Sequence, residues 1–288
     1  MSSSTLKPQI MIKKILVPTD FSEQAENALR VAADLARKHG SEINLLHMLE
    51  LPMDLVDGAY GGAKSELPEA IFFMKLAHQK FQTMMSAPFL EGINVYETAE
   101  FDGAFDGIMD YAKKHEADLI VMGSHGASGL QEFFIGSNTE KVVRNSDIPV
   151  LVIKNRHEKF ALHNFVYATS FEDDNHSAFK QAVAFAKDSK VSLHMLYVNT
   201  PNDFKTTHDI EKLMKDFMAK ESGFDDFTLN IYNDNKVESG ILHFAEMVNA
   251  GIIGIATHGR KGLAHFLNGS LSEGLVNHAQ RPVITFKI

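Results

Sequence analysis

At 288 residues the chain is longer than the usual single domain, so two domains of roughly 140 residues are expected, each able to bury a core without staples. Cysteine is absent, which excludes a disulfide framework, thiolate zinc sites and a cysteine nucleophile. The net charge of −9 and the lack of long like-charge runs argue against nucleic acid and anionic membrane as partners. No apolar run approaches the roughly 20 residues of a membrane span, and Met1 to Ile10 lacks a signal-peptide core, so a soluble cytoplasmic chain is expected.

In chain order, Lys13 to Asp20 is a short apolar run ending in turn chemistry, the pattern of a buried parallel strand. Ser22 to His39 carries Ala25, Leu29, Ala32, Leu35 and Ala36 at helical spacing, with Ser22 as N-cap and Gly40 as stop. Ile43 to Leu49 is a second strand. Lys64 to Met85 is a helical stretch, and the longer segment Ala59 to Met85, rich in Met and Phe, reads as a packed helix and flap over the crevice rather than a cofactor box. Strands at Ile93 to Ala99, Asp118 to Met122 and Pro149 to Ile153 follow, with a helix at Ile108 to His115. Such alternation predicts a doubly wound parallel sheet.

The pattern then restarts. Strands are expected at Asn164 to Ser170, Val191 to Val198, Phe227 to Tyr232, Gly251 to Ala256 and Pro282 to Phe286, with the first helix at Ala178 to Lys187. Gly126, Gly136 and Pro149 are spaced by 10 and 13 residues, and Gly259, Gly269 and Pro282 repeat that spacing. Aligned without gaps, Gly123 to Lys154 and Ala256 to Lys287 share twelve of thirty-two residues, including the glycines at 126, 129 and 136. The chain is an internal duplication, with domains expected at 11–154 and 161–288 and a short polar junction at Asn155 to Leu162.

The segment that carries chemistry runs from Gly123 through Gly126 to Gly136 and Ser137, directly after a buried strand. In an open parallel sheet, ligands bind beyond the carboxyl ends of the strands. Glycines let backbone amides approach phosphate oxygens, and a helix opening at Gly136 and Ser137 offers amides and a favourable dipole. A Walker loop is excluded, because Gly254 to Gly259 is followed by Arg260-Lys261-Gly262, and the Gly-x-Gly-x-x-Gly fingerprint is absent.

These residues resemble the universal stress proteins, whose nucleotide-binding members carry Gly-x2-Gly-x9-Gly-[Ser/Thr]; here that is Gly123, Gly126, Gly136 and Ser137. The opening Ile15 to Ser22 is similar to the family's first strand and turn. The resemblance implies two Rossmann-like domains with five-stranded parallel sheets in the order 3-2-1-4-5. It also implies pairing through their last strands as an intramolecular pseudo-dimer, with further homodimerisation open. It implies ATP as ligand, any Mg²⁺ being held largely by phosphates and water. The nucleoside would lie against Pro18, Thr19, Asp20, Met48 and Met122. The phosphates would lie against Gly123, His125, Gly126, Gly136, Ser137 and Asn138. Half two departs from the pattern: Ser170 replaces Asp20 and Ala256 replaces Gly123, so one main site per chain is expected.

No catalytic constellation stands out, and none of the fourteen histidines forms a zinc motif. His125 and His258 recur at one loop position and read as loop-structuring or ligand-proximal groups. The run Glu172-Asp173-Asp174 is expected to complement a helix N-terminus. A nucleotide-dependent regulator is the leading expectation; a slow ATP hydrolase or phosphotransfer enzyme and a scaffold for another small ligand are the alternatives.

Overall fold

The computed structural model describes residues 12–50, 66–124, 136–160, 162–220, 226–257 and 271–288. Half one runs β1 (Lys14–Pro18), α1 (Glu23–His39), β2 (Glu42–Leu49), α2 (Glu66–Met85), β3 (Val95–Phe101), α3 (Ala104–Lys114), β4 (Leu119–Gly123), α4 (Ser137–Asn145) and β5 (Val150–Ile153). Half two runs β6 (Asn164–Ala168), α5 (His176–Ser189), β7 (Ser192–Asn199), α6 (Thr207–Ala219), β8 (Phe227–Asn233), α7 (Val237–Met247), β9 (Ile252–Thr257), α8 (Leu271–His278) and β10 (Val283–Lys287).

All ten expected strands form, with shifts at some ends. β3 starts at Val95 because Ile93 is still held by a 3-10 turn, its amide donating to the Leu90 carbonyl at 3.1 Å. α3 starts four residues ahead of the expected Ile108, since Gly107 keeps its helical bond to the Gly103 carbonyl at 2.9 Å. α1 has the caps its sequence announces. Ser22 accepts from the Ala25 amide, and Gly40 turns left-handed at φ 70°.

The strands form one ten-stranded sheet in the order β3-β2-β1-β4-β5-β10-β9-β6-β7-β8. Each half has the order 3-2-1-4-5, parallel throughout. The halves join where β10 runs antiparallel to β5, with Val283 opposite Val152 and Thr285 opposite Val150. One apolar layer, containing Leu29, Phe81, Phe179 and Phe217, lies on one face of the sheet and draws on both halves. The other layer, with Ile108, Val142, Phe244 and Leu275, does the same on the opposite face. Because the strands are covered on both faces, they read as continuous apolar runs.

The halves fill equivalent space differently. At the positions that match Ile15, Val17, Val121 and Ile153, half two has Phe165, Tyr167, Gly254 and Phe286. A methyl group at Gly254 would lie 2.5 Å from the Phe165 ring, so the missing side chain makes room for the aromatic one. A similar exchange links β2 and β7 to the helices above them. A methyl at Gly107 would meet Met48 Sδ at 2.5 Å, and one at Gly240 would meet Val198 Cγ1 at the same distance.

Across the seam, His39 Nδ1 lies 2.9 Å from Asp188 Oδ2, with the His39 side chain 3% exposed. Asp188 also accepts from the Ile12 amide at 3.3 Å. Burial pushes the His39 pKa below its ordinary value despite the neighbouring carboxylate. His47, His157 and His194 shift the same way, also by burial.

Two predictions follow from this packing. A thioether end can swing aside whereas a valine is stiff at χ1. Gly240→Ala should therefore cost about 1–2 kcal/mol in urea unfolding, and Gly107→Ala should stay within about 1 kcal/mol of wild type. Equal losses would show that helix propensity, not the facing side chain, decides. The second prediction concerns acid. Folding lowers the His39 pKa below its ordinary 6.5, so the unfolded chain takes up the proton first as pH falls; the contribution of His39 is complete above that pH and declines below it. The urea midpoint should fall between about pH 7.5 and pH 5.5, and His39→Gln should flatten that fall. An unchanged slope in the variant would assign the acid sensitivity to other groups.

Candidate functional site

In half one β1 and β4 are neighbours, and the chain leaves them towards opposite edges of the sheet. The crevice beyond their carboxyl ends is where a doubly wound sheet takes ligands. Three short side chains build the turn from β1 to α1. Thr19 Oγ1 accepts from the Phe21 amide at 3.0 Å, Asp20 Oδ1 from the Ser22 amide at 3.0 Å, and Ser22 Oγ from the Ala25 amide at 3.2 Å. Such local bonds compete with regular structure, and here they force Phe21 to a positive φ of 63°. Pro18 and Thr19 are buried, while Asp20 is exposed at the rim.

A cluster that sequence reasoning missed holds this turn from the side. His47 Nδ1 donates to the Thr19 carbonyl at 2.7 Å, and its ring lies 4.5 Å from that of Phe21. Phe81 of α2 is fully buried 5.0 Å from Phe21, and Lys80 Nζ stands 5.2 Å over the Phe21 ring. Thr19 Oγ1 also donates to Met84 Sδ at 3.8 Å. Burial holds the His47 imidazole neutral, an effect that Lys80 reinforces. The only advance signal was aromatic and Met enrichment in the stretch read as a flap. Its C-terminal part clamps the β1–α1 turn.

Met48 and Met122 direct their side chains away from the crevice. Met48 packs against α3 at Gly107, and Met122 is buried in the core beneath α3 and α4. At Gly123 a methyl group would lie 2.9 Å from the backbone of Gln24, in the first turn of α1. The glycine therefore lets α1 start hard against β4. Half two has Ala256 here, and its first helix opens as a 3-10 turn, Asp173–Asn175, before α5 proper.

The two feet of the glycine loop are pinned together. The Gly136 amide donates to the Ser124 carbonyl at 2.6 Å, and Thr139 Oγ1, buried in the first turn of α4, donates to the Gly123 carbonyl at 2.9 Å. Ser124 is anchored in turn by its amide to the Ile153 carbonyl at 3.0 Å. Gly136 is the N-cap of α4 and offers no side-chain cap. Ser137 and Asn138 begin that helix beside the end of β4. His125 and Gly126 lie outside the described residues, as do His258, Gly259, Arg260, Lys261, Gly269 and Ser270.

Half two repeats the turn but closes its tip. Thr169 Oγ1 accepts from the Phe171 amide at 3.2 Å, and Phe171 has a φ of 59°. The Ser170 hydroxyl, however, accepts from buried Asn175 Nδ2 at 3.1 Å. The acidic run immediately precedes α5, as expected, with Glu172 at the N-cap and Asp173 and Asp174 opening the 3-10 turn that leads into it; Asp173 also pairs with Lys220 at 2.5 Å.

The family model described as the universal stress protein family matches the chain twice, at residues 11–154 and 162–287. The chain belongs to the universal stress protein family. A universal stress protein of Methanocaldococcus jannaschii is 34% identical over 158 residues, covering 51% of this chain and 98% of that protein. Another, from Synechocystis, is 36% identical over 145 residues, covering 50% of this chain and 87% of its own length. The fold also recurs at full length. The crystal structure of a universal stress protein from Archaeoglobus fulgidus superposes with a TM-score of 0.66 at 24% identity, covering 96% of this chain and 97% of that one. A functionally unknown protein from Pseudomonas aeruginosa gives 0.64 at 18% identity, with 97% and 94% covered. Among the described residues of this universal stress protein, no helix is long and apolar enough to cross a membrane.

Gly123→Ala should push the α1 N-terminus off β4 and cost about 1–3 kcal/mol in stability, whether or not a ligand is present. Thermal unfolding in the presence and absence of nucleotide checks this. An unchanged midpoint would mean that α1 is free to start later, as its counterpart in half two does.

Proposed function

We propose that this protein is a nucleotide-dependent regulator that binds ATP at one main site, in half one. The observation that carries the reading is the pair of pinned loop feet beside an α4 N-terminus with a glycine cap. Amides of Ser137 and Asn138 at that end suit an anion, because the glycine cap supplies no side-chain oxygen to satisfy them and the Gly136 amide is itself spent on the Ser124 carbonyl. Asp20, exposed on a turn fixed by three hydrogen bonds, is placed to accept from ribose or adenine donors. Met48 and Met122 would contribute backbone, since their side chains are committed to packing. Mg²⁺ would be held through the phosphates and water. Among the described residues no group of three or more His, Asp or Glu side chains is arranged to chelate it.

Half two supports a weaker role. Its hydroxyl at Ser170 is already hydrogen-bonded to Asn175, and no carboxylate stands at that position.

Calorimetric titration of the full chain with MgATP should give one tight site per chain. Asp20→Ala should weaken it by roughly 10- to 100-fold, the value of a lost charged hydrogen bond. Ser170→Ala should leave it unchanged. Two equal sites, or an Asp20→Ala variant with wild-type affinity and wild-type melting, would sink the asymmetric reading.

A further inference from the structure

A second cavity, of about 590 Å³, lies away from the glycine loop, between the interdomain linker and the base of half two. Its size is within the range of small-molecule sites. Leu242 of α7, Ile253 of β9 and Pro282 give it an apolar floor, and Phe160 of the linker adds an aromatic wall.

The linker is fixed in place. Lys154 Nζ donates to the Asn277 carbonyl at 2.5 Å, and Asn155 Nδ2 donates to the Gln280 carbonyl at 3.0 Å. The Phe160 amide donates to Asp34 Oδ2 at 2.8 Å, tying the far end of the linker to α1. The cavity is therefore preformed, which lowers the cost of ordering it around a ligand.

Its polar groups have an uneven balance. Arg281 donates to the Ala250 carbonyl and reaches Asn249 Oδ1 at 3.5 Å, and Lys154 covers the α8 terminus, so these two cations are spent on helix C-terminal ends. Glu246 is exposed in the last turn of α7. Lys159 and His163 line the cavity with no hydrogen bond or ion pair to the described residues. His157 Nε2 is buried without a hydrogen-bond partner among the described residues, an arrangement that costs free energy unless something else supplies one.

We propose that this cavity binds a small organic anion, a carboxylate or phosphate on an apolar body. Lys159 supplies the counter-charge, His157 and His163 supply hydrogen bonds, and Phe160 and Leu242 receive the apolar part. The site is separate from the glycine loop and does not rest on the nucleotide reading.

Phenyl phosphate and inorganic phosphate are the probes, titrated calorimetrically into the full chain with excess MgATP present. Phenyl phosphate should saturate, and it should bind at least tenfold more tightly than inorganic phosphate because the apolar walls contribute. Lys159→Ala, on an exposed linker position, should weaken phenyl phosphate at least tenfold without changing the melting temperature, and Lys159→Arg should restore much of the affinity. His157→Phe should also weaken it. The proposal is overturned by no saturation up to about 10 mM, by equal binding of the two probes, or by unchanged affinity in Lys159→Ala.

Discussion

The antiparallel pairing of β5 with β10 is the constraint on which the rest of this structure depends. A five-stranded doubly wound sheet ends at β5, a fully buried strand of four residues, Val150, Leu151, Val152 and Ile153. Left as an edge, that strand would present unpaired backbone groups and apolar side chains together. The other half of the same chain removes the problem by pairing Val283 with Val152 and Thr285 with Val150. Both faces of the sheet then carry an apolar layer that crosses the seam. The core is continuous from one half to the other, and the interface is built as protein interior.

That shared frame leaves the two sites free to diverge. Half two keeps the Thr–Phe turn with its positive φ, so the backbone device is preserved. What changes is the chemistry at its tip and the packing behind it. Ser170 turns to Asn175, and the core exchanges aliphatic residues for Phe165, Tyr167 and Phe286. Among the described residues the buried Tyr167 hydroxyl finds no hydrogen-bond partner, and burial pushes its pKa up, a cost that the surrounding aromatic contacts have to offset. Half two has thus been remade around bulk, whereas half one keeps a carboxylate, Asp20, at the tip of its turn and a glycine N-cap on α4.

Much of the fold was legible because its signals are local or repeated. Buried parallel strands announce themselves as apolar runs, Ser22 and Gly40 mark both ends of α1, and the glycine spacing is written twice. The strand order came from family resemblance; periodicity alone does not fix which strands are neighbours. Helices α6 and α7 escaped notice. α7 contains Gly240 and opens after Lys236 without a side-chain cap, so its start carries no sequence mark. α6 does have a capping threonine, Thr206, but it follows a polar loop that hides it. At the candidate site, the reason for a glycine at position 123 did not emerge from spacing. It lies in the approach of α1 to within 2.9 Å, a contact between segments 99 residues apart in sequence. The Phe21–His47–Phe81 cluster was hidden for the same cause, since three elements must meet before those rings do.

The frame and the candidate site also share atoms. Ser124 holds one foot of the glycine loop through Gly136, and its own amide is held by Ile153, the last residue of β5. The next two residues, Lys154 and Asn155, bind the end of α8 and Gln280, and Phe160 then returns to α1 through Asp34. The segment between the halves is therefore a bonded part of both, unlike a flexible tether, whose residues would be solvated. A hinge motion of one half on the other would have to break the seam, these side-chain bonds and the buried His39–Asp188 pair together. Any response to a ligand in half one is more economically carried by elements at the carboxyl ends of the strands, such as α4, than by domain rotation, because α4 lies outside the ten-stranded sheet.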